Sequence, residues 1–207
     1  MNKFAFVLFL AVAPCLFSQK LKDDDLNVYV THSSSLFASN ISDFHHLDLS
    51  NLRAVFIEAS GSRGQWQALK NGKGKTVDIN RYGEFEGATD VALAWQQPLD
   101  AKHWLAAYDW EWVGGSSSHS QIVQVFELRD GKVFITQQIE ADTHHGGAAV
   151  GAVLNPSKKT LVVRAVELDS PKGRCCPTQI NVVAFAWTGK QFRRVSAFRM
   201  PNPPYAE

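Results

Sequence analysis

Apolar and polar residues recur along this chain with a period of two, in short runs broken by glycine, proline, asparagine and aspartate. That period puts successive side chains on opposite faces of an extended strand, so it predicts β structure. The expected strands are Leu52 to Ala59, Trp66 to Leu69, Thr76 to Ile79, Asp90 to Gln96, His103 to Val113 and Gln121 to Leu128. They continue with Lys132 to Ile139, Ala148 to Leu154, Thr160 to Glu167, Gln179 to Trp187 and Phe192 to Phe198. Turn signals separate them at Asn71-Gly72, Asp130-Gly131, Asn155-Pro156 and Thr188-Gly189-Lys190. Asp130-Gly131 is the strongest hairpin signal, because both residue types tolerate the positive φ that a two-residue turn demands. Asn40 to Leu52 predicts a short helix instead, capped by Asn40 or Ser42, with Ile41, Phe44 and Leu47 as its apolar stripe. The expected fold class is therefore mainly β, with α+β as the variant: an antiparallel, hairpin-rich sheet or sandwich with at most one or two short helices.

One strand is unusual. Alternation from His103 to Val113 places Trp104, Ala106, Tyr108, Trp110 and Trp112 on one face. His103, Leu105, Ala107, Asp109, Glu111 and Val113 fall on the other. The aromatic face, Trp104, Tyr108, Trp110 and Trp112, reads either as the core side of a sheet or as a stacking platform for a sugar or peptide.

The first residues carry a different pattern. Lys3 precedes an apolar run from Phe4 to Ala13, broken by Pro14 and followed by the small Ser18, the outline of a cleaved signal peptide over 1–18. The run is too short to cross a bilayer as a stable helix. The mature chain is expected to start at Gln19 or Lys20 and to be exported, periplasmic or extracellular. Pro14 directly before Cys15 argues against a lipid anchor at Cys15. Residues 19–39 are polar, including Ser33-Ser34-Ser35, and read as a mobile segment ahead of a single β-rich domain over 40–200 and a tail over 201–207. At 207 residues the chain is long enough for one sizeable core.

Charge removes some partners and adds one asymmetry. Lys plus Arg number 21 against 20 for Asp plus Glu, so nothing global recruits nucleic acid or an anionic membrane. From Ser157 to Glu207, however, nine basic residues face three acidic ones.

Leader removal would leave Cys175 and Cys176 as the sole thiols, in Gly173-Arg174-Cys175-Cys176-Pro177 between two strands. An exported protein favours oxidation. Yet adjacent Cα atoms lie about 3.8 Å apart, below the usual 4.4 to 6.8 Å of a bridge, so a vicinal disulfide is strained. Three states remain: a Cys175-Cys176 disulfide, reduced thiols, or a bridge between molecules. A redox centre ordinarily spaces its cysteines as Cys-x-x-Cys, so the pair reads as a turn.

Three segments together resemble a known family. The first is Tyr82-Gly83-Glu84-Phe85-Glu86-Gly87-Ala88-Thr89-Asp90-Val91-Ala92, and the second is the hairpin Val125-Phe126-Glu127-Leu128-Arg129-Asp130-Gly131-Lys132. The third is Cys175-Cys176-Pro177 followed by Phe185-Ala186-Trp187-Thr188-Gly189-Lys190-Gln191-Phe192. Across roughly Asp48 to Val195 the chain is similar to the LppP/LprE-type lipoprotein domains, exported bacterial proteins of uncharacterised role. The resemblance implies export and the double-cysteine turn, and it brings no catalytic activity. Ala88 and Thr89 stand where relatives carry further acidic or glycine residues, which weakens a calcium loop built on Glu84, Glu86 and Asp90.

Catalytic chemistry has thin support. His45-His46 and His144-His145 are adjacent pairs, and neighbours on a strand point apart, so only a loop such as His144-His145-Gly146-Gly147 would offer both as metal ligands. Asp109 and Glu111 share a strand face at about 6.6 to 7 Å of backbone rise, a carboxylate spacing known in hydrolases. The chain has no Gly-x-Ser-x-Gly and no phosphate loop. The expectation is an exported, non-enzymatic β-rich interaction or structural module of the bacterial envelope, without cofactor, whose partner is an unknown envelope protein or glycan. The alternative is a small hydrolase or metal-dependent enzyme using the Asp109/Glu111 face or the His144/His145 loop.

Overall fold

The computed structural model describes residues 26–40, 49–51, 53–57, 64–79, 82–113, 118–143, 150–167 and 176–202. The leader, most of the expected helix, the pairs His45-His46 and His144-His145, and Cys175 lie outside them.

Twelve strands and no helix make up the described residues: β1 (Val28–Asn40), β2 (Arg53–Ile57), β3 (Gly64–Ala68), β4 (Lys73–Ile79), β5 (Phe85–Pro98) and β6 (His103–Val113). They continue with β7 (Ser118–Arg129), β8 (Lys132–Asp142), β9 (Gly151–Asn155), β10 (Thr160–Val166), β11 (Gln179–Trp187) and β12 (Phe192–Pro201). Six form one antiparallel sheet in the order β1-β8-β7-β6-β5-β4, four form a second in the order β12-β11-β10-β9, and β2-β3 is a separate hairpin. The expected mainly β, antiparallel fold is the observed one. Asp130 and Gly131 both take positive φ, +49° and +71°, as their hairpin requires. Asn71 and Gly72 do the same at +53° and +78° between β3 and β4.

Ser33-Ser34-Ser35, part of the polar segment expected ahead of the domain, lies inside β1, which pairs in the six-stranded sheet. The physical reason is pairing: Val28 to His32 and Leu36 to Asn40 register against β8, with the ladder slipping between His32 and Leu36 where the serines fall. A polar composition says little about a backbone whose hydrogen bonds go to a neighbouring strand.

Two cores result. Leu105 and Ala107 of β6, Val123 and Val125 of β7, and Ile139 and Ala141 of β8 pack against Leu154, Leu161, Val163, Val183 and Phe185 of the second sheet. The opposite face of the larger sheet buries Ala106, Tyr108, Ile122, Phe126, Val133 and Ile135 under Leu49 and Leu69. The larger sheet thus buries apolar residues on both faces, and two bulges make this compatible with its sequence. In β5, Leu93 pairs with Tyr108 and Trp95 with Ala107, so the extra Ala94 moves the core-facing set from one parity to the other. In β8, Thr136 has the same role between Ile135 and Gln137.

Side-chain amides join the two sheets where their backbones are too far apart to pair. Gln137 on β8 donates through Nε2 to the Phe192 carbonyl at 2.9 Å and accepts from the Phe192 amide at 2.8 Å. Asn181 Nδ2 donates to the Leu26 carbonyl at 2.9 Å, and Trp95 Nε1 to the Ala152 carbonyl at 3.2 Å. Each imitates one rung of a β ladder between sheets and satisfies a backbone group the core would otherwise strand.

Candidate functional site

The inner face of the larger sheet is covered by the smaller one only as far as β9. Along β6 that face begins with buried Leu105 and Ala107 and then reaches Asp109, which is exposed, and Glu111, which is half-buried. Gln121 on β7 marks the margin. Its Oε1 accepts from the Ala152 amide of β9, and its Nε2 donates to Asp109 Oδ1 at 2.7 Å. One amide therefore faces the second sheet on one side and the open face on the other.

Beyond this margin, register assembles charges that are distant in sequence. Lys75 pairs with Asp90, Asp90 with Glu111, and Glu111 with His119, so four neighbouring strands contribute one residue each to a single row. Lys75 Nζ lies 3.5 Å from Asp90 Oδ1, and His119 Nε2 lies 3.5 Å from Glu111 Oε1. A second row on the same face holds Lys73, Ala92, Asp109 and Gln121. Apart from Gln121, and together with Thr143, these residues line an open groove of about 570 Å³. At about 4.8 Å between strands the first row spans roughly 14 Å, the length of a disaccharide or a short peptide.

The row places two acceptors side by side, the Asp90 and Glu111 carboxylates, between the Lys75 ammonium and the His119 ring. An exposed ion pair contributes at most about 1 kcal/mol to stability, so stability does not account for four aligned ionisable residues. Each carboxylate already has a neighbour: Asp90 the Lys75 ammonium, Glu111 the His119 ring, Asp109 the Gln121 amide. Asp109 and Glu111 stand side by side on one strand and do not face each other across a cleft, whereas glycosidic cleavage by two carboxylates needs them on either side of the bond. Among the described residues no group of three or more His, Cys, Asp or Glu side chains is placed to hold a metal ion.

The other expected site residues are scattered. Tyr108 is 1% exposed in the second core, where burial pushes its hydroxyl pKa well above the ordinary tyrosine value. Trp104 and Trp110 pack partly buried against the same cluster, and Trp112 is half-buried. The face of Trp104, Tyr108, Trp110 and Trp112 is the side of β6 that packs toward Leu49 and Leu69, whose core takes its Tyr108 ring. The opposite face is unlike the uniformly solvated side that alternation alone implies, since only its Asp109/Glu111 end is open. Of the residues Glu84, Glu86 and Asp90, the last two lie on the extended β5, which begins at Phe85, and Glu84 directly precedes it. His144 and His145 lie outside the described residues. So does Cys175; its neighbour Cys176 is half-buried ahead of Pro177, whose carbonyl accepts from Asn202 Nδ2 at 2.9 Å.

Sequence reasoning found Asp109 and Glu111 and missed Lys73, Lys75, Asp90 and His119 as their companions. A signal existed in the spacing: Lys73-x-Lys75, Asp109-x-Glu111 and His119-x-Gln121 each place two polar groups on one strand face. Which faces meet depends on register. Another missed pair, Asp100 and His103, has a structural role. Asp100 Oδ1 accepts from the Lys102 amide at 2.9 Å and lies 2.7 Å from His103 Nδ1, closing the turn between β5 and β6. Burial pushes the Asp100 pKa up, but the Lys102 amide and His103 outweigh it and hold the carboxyl below its ordinary value. His103 meets Trp187 edge-on at 4.9 Å. No protein-family model matches the chain, and no curated protein or solved structure does either.

Proposed function

We propose that the protein is an exported, non-enzymatic binding module of the bacterial envelope, which takes a polar ligand in the groove over β4 to β7. The observation that carries this reading is the row Lys75, Asp90, Glu111 and His119, which stability does not explain and which presents several hydrogen-bonding groups at ligand length. Its carboxylates are engaged by neighbours, as in a recognition surface. An envelope glycan or a short peptide of an envelope protein has the matching hydroxyls, amides and charges. Export rests on the charged and apolar leader over 1–18, and the resemblance to LppP/LprE-type domains points the same way.

A hydrolase remains the second reading because Asp109, Glu111 and His119 do line one groove. Titration of the mature chain with free hexoses, disaccharides and dipeptides, followed by amide chemical shifts, should perturb Lys75, Asp90, Glu111 and His119 together, and Lys75→Ala with Asp90→Ala should abolish the effect. Turnover of chromogenic glycosides or esters that is lost in Asp109→Asn or Glu111→Gln would overturn the binding reading. For export, expression with the native leader should yield a chain beginning at Gln19 or Lys20 outside the cytoplasm; an uncleaved cytoplasmic product removes that part of the proposal.

A further inference from the structure

The smaller sheet has a charge character of its own. β9 to β12 contain Arg164, Arg193, Arg194 and Arg199 and no aspartate or glutamate. Lys158, Lys159 and Lys190 occupy the adjoining turns. Glu167, just past β10, is buried and accepts from Thr178 Oγ1 at 2.9 Å. The basic excess of the C-terminal third is thus gathered on one sheet.

That sheet ends in β12, which pairs only with β11 among the described strands and is exposed from Arg193 to Pro201 apart from Ala197. Its two sides differ toward the C-terminal end of the strand. Arg194 pairs with Phe185 and Arg199 with Asn181, on the side that faces the main core, and Asn181 Oδ1 holds Arg199 Nε at 3.1 Å. Phe198 pairs with Val182 and Met200 with Ile180 on the other side, and both remain exposed, 42% and 36%. Arg193, paired with Ala186, shares the Phe198 and Met200 side; beyond the bulge at Val195, then, one side of the edge carries Arg199 and the other Phe198 and Met200.

An edge strand is a template for one more strand, and opposite charges placed directly across a ladder stabilise it while like charges oppose it. A second copy of β12 would bring three more arginines beside Arg193, Arg194 and Arg199, whereas an acidic strand would bring charges of opposite sign. We propose that β12 is a docking edge for an extended acidic segment of a partner protein, one whose residues alternate between carboxylate and apolar side chains. Carboxylates of that segment meet Arg194 and Arg199, and its apolar residues lie beside Phe198 and Met200. The alternation is what a paired strand demands and what a merely acidic chain lacks.

The test uses the mature chain and a fluorescein-labelled peptide alternating glutamate and valine. A peptide of the same composition in block order and a lysine-valine alternating peptide serve as controls. The alternating acidic peptide should bind best, weaken at high salt, and protect the amides of Ser196 to Met200 from hydrogen exchange. Arg199→Glu should weaken it about tenfold or more, a change of about 1.4 kcal/mol, and should favour the lysine peptide instead. Phe198→Ser, at an exposed position, should weaken it while leaving the thermal transition in place. Equal binding of the block peptide, or binding without protection of those amides, would overturn strand pairing. Association with phosphatidylglycerol vesicles in the absence of peptide binding would assign the arginines to a lipid surface and overturn the proposal.

Discussion

At the scale of single residues, polar side chains decide more than their number implies. Gln137 is 1% exposed and bonds both backbone groups of Phe192, so Gln137→Leu leaves a buried amide and a buried carbonyl without partners. Each orphan costs about 1 to 3 kcal/mol. Urea denaturation should therefore show a loss of about 3 kcal/mol, although leucine is the more hydrophobic residue. Glu140 works in the opposite direction. Burial raises its pKa; the Ser120 hydrogen bond lowers it and the nearby Asp142 charge raises it, with a net upward shift. A folded pKa above the unfolded one means that its favourable contribution is complete below the unfolded value, about 4.3, and is lost as pH rises through the folded value. Glu140→Gln is thus expected to raise the melting temperature at neutral pH, and the gain should vanish in acid. Neither role can be read from the sequence, where Gln137 and Glu140 resemble any polar residue on the outer side of a strand.

At the scale of elements, period-two patterning specified most strands, and His103 to Val113 and Gln179 to Trp187 have the limits the alternation predicts. It missed β1, where serines interrupt the pattern and only the ladder to β8 supplies an extended backbone. It left the two faces of β6 open, because alternation reports two faces without saying what covers each. The bulges give a sharp expectation. Ala94 is exposed and supernumerary, so deleting it restores regular alternation with Leu93 and Trp95 still on their own faces. The shortened protein should fold with a modest loss of stability, whereas deletion of Ala106 in unbulged β6 sends every later side chain to the wrong face and should leave no cooperative transition. Circular dichroism melts of the two variants decide it. Close packing sets another constraint in β5, since a Cβ at Gly87 would lie 2.9 Å from Trp112 Nε1. Gly87→Ala should cost about 1 to 3 kcal/mol and shift the indole emission.

At the scale of the whole molecule, the two sheets have different electrical characters, and this was only half legible. The basic excess after Ser157 shows in the sequence, but its concentration on β9 to β12 required the sheet order. The acidic part was less visible still: Asp90, Asp109 and Glu111 come from two strands and meet on one face only through register, while Glu140 and Asp142 of β8 lie on the other face, paired with Ile122 and Ser120. Likewise the groove needed both the bulge at Ala94 and the end of cover at β9, and neither leaves a mark in composition.

The near-zero net charge of +1 therefore hides an uneven distribution among the described strands, with arginines and no carboxylate on β9 to β12 and eight carboxylates against four lysines or arginines on β1 and β4 to β8. Such a body should be retained at low ionic strength by both cation and anion exchangers, each capturing a different side, and released from both as salt shortens the reach of its field. Near a charged surface it would turn before it touches, so orientation is selected during approach and the arginine sheet reaches an anionic target first.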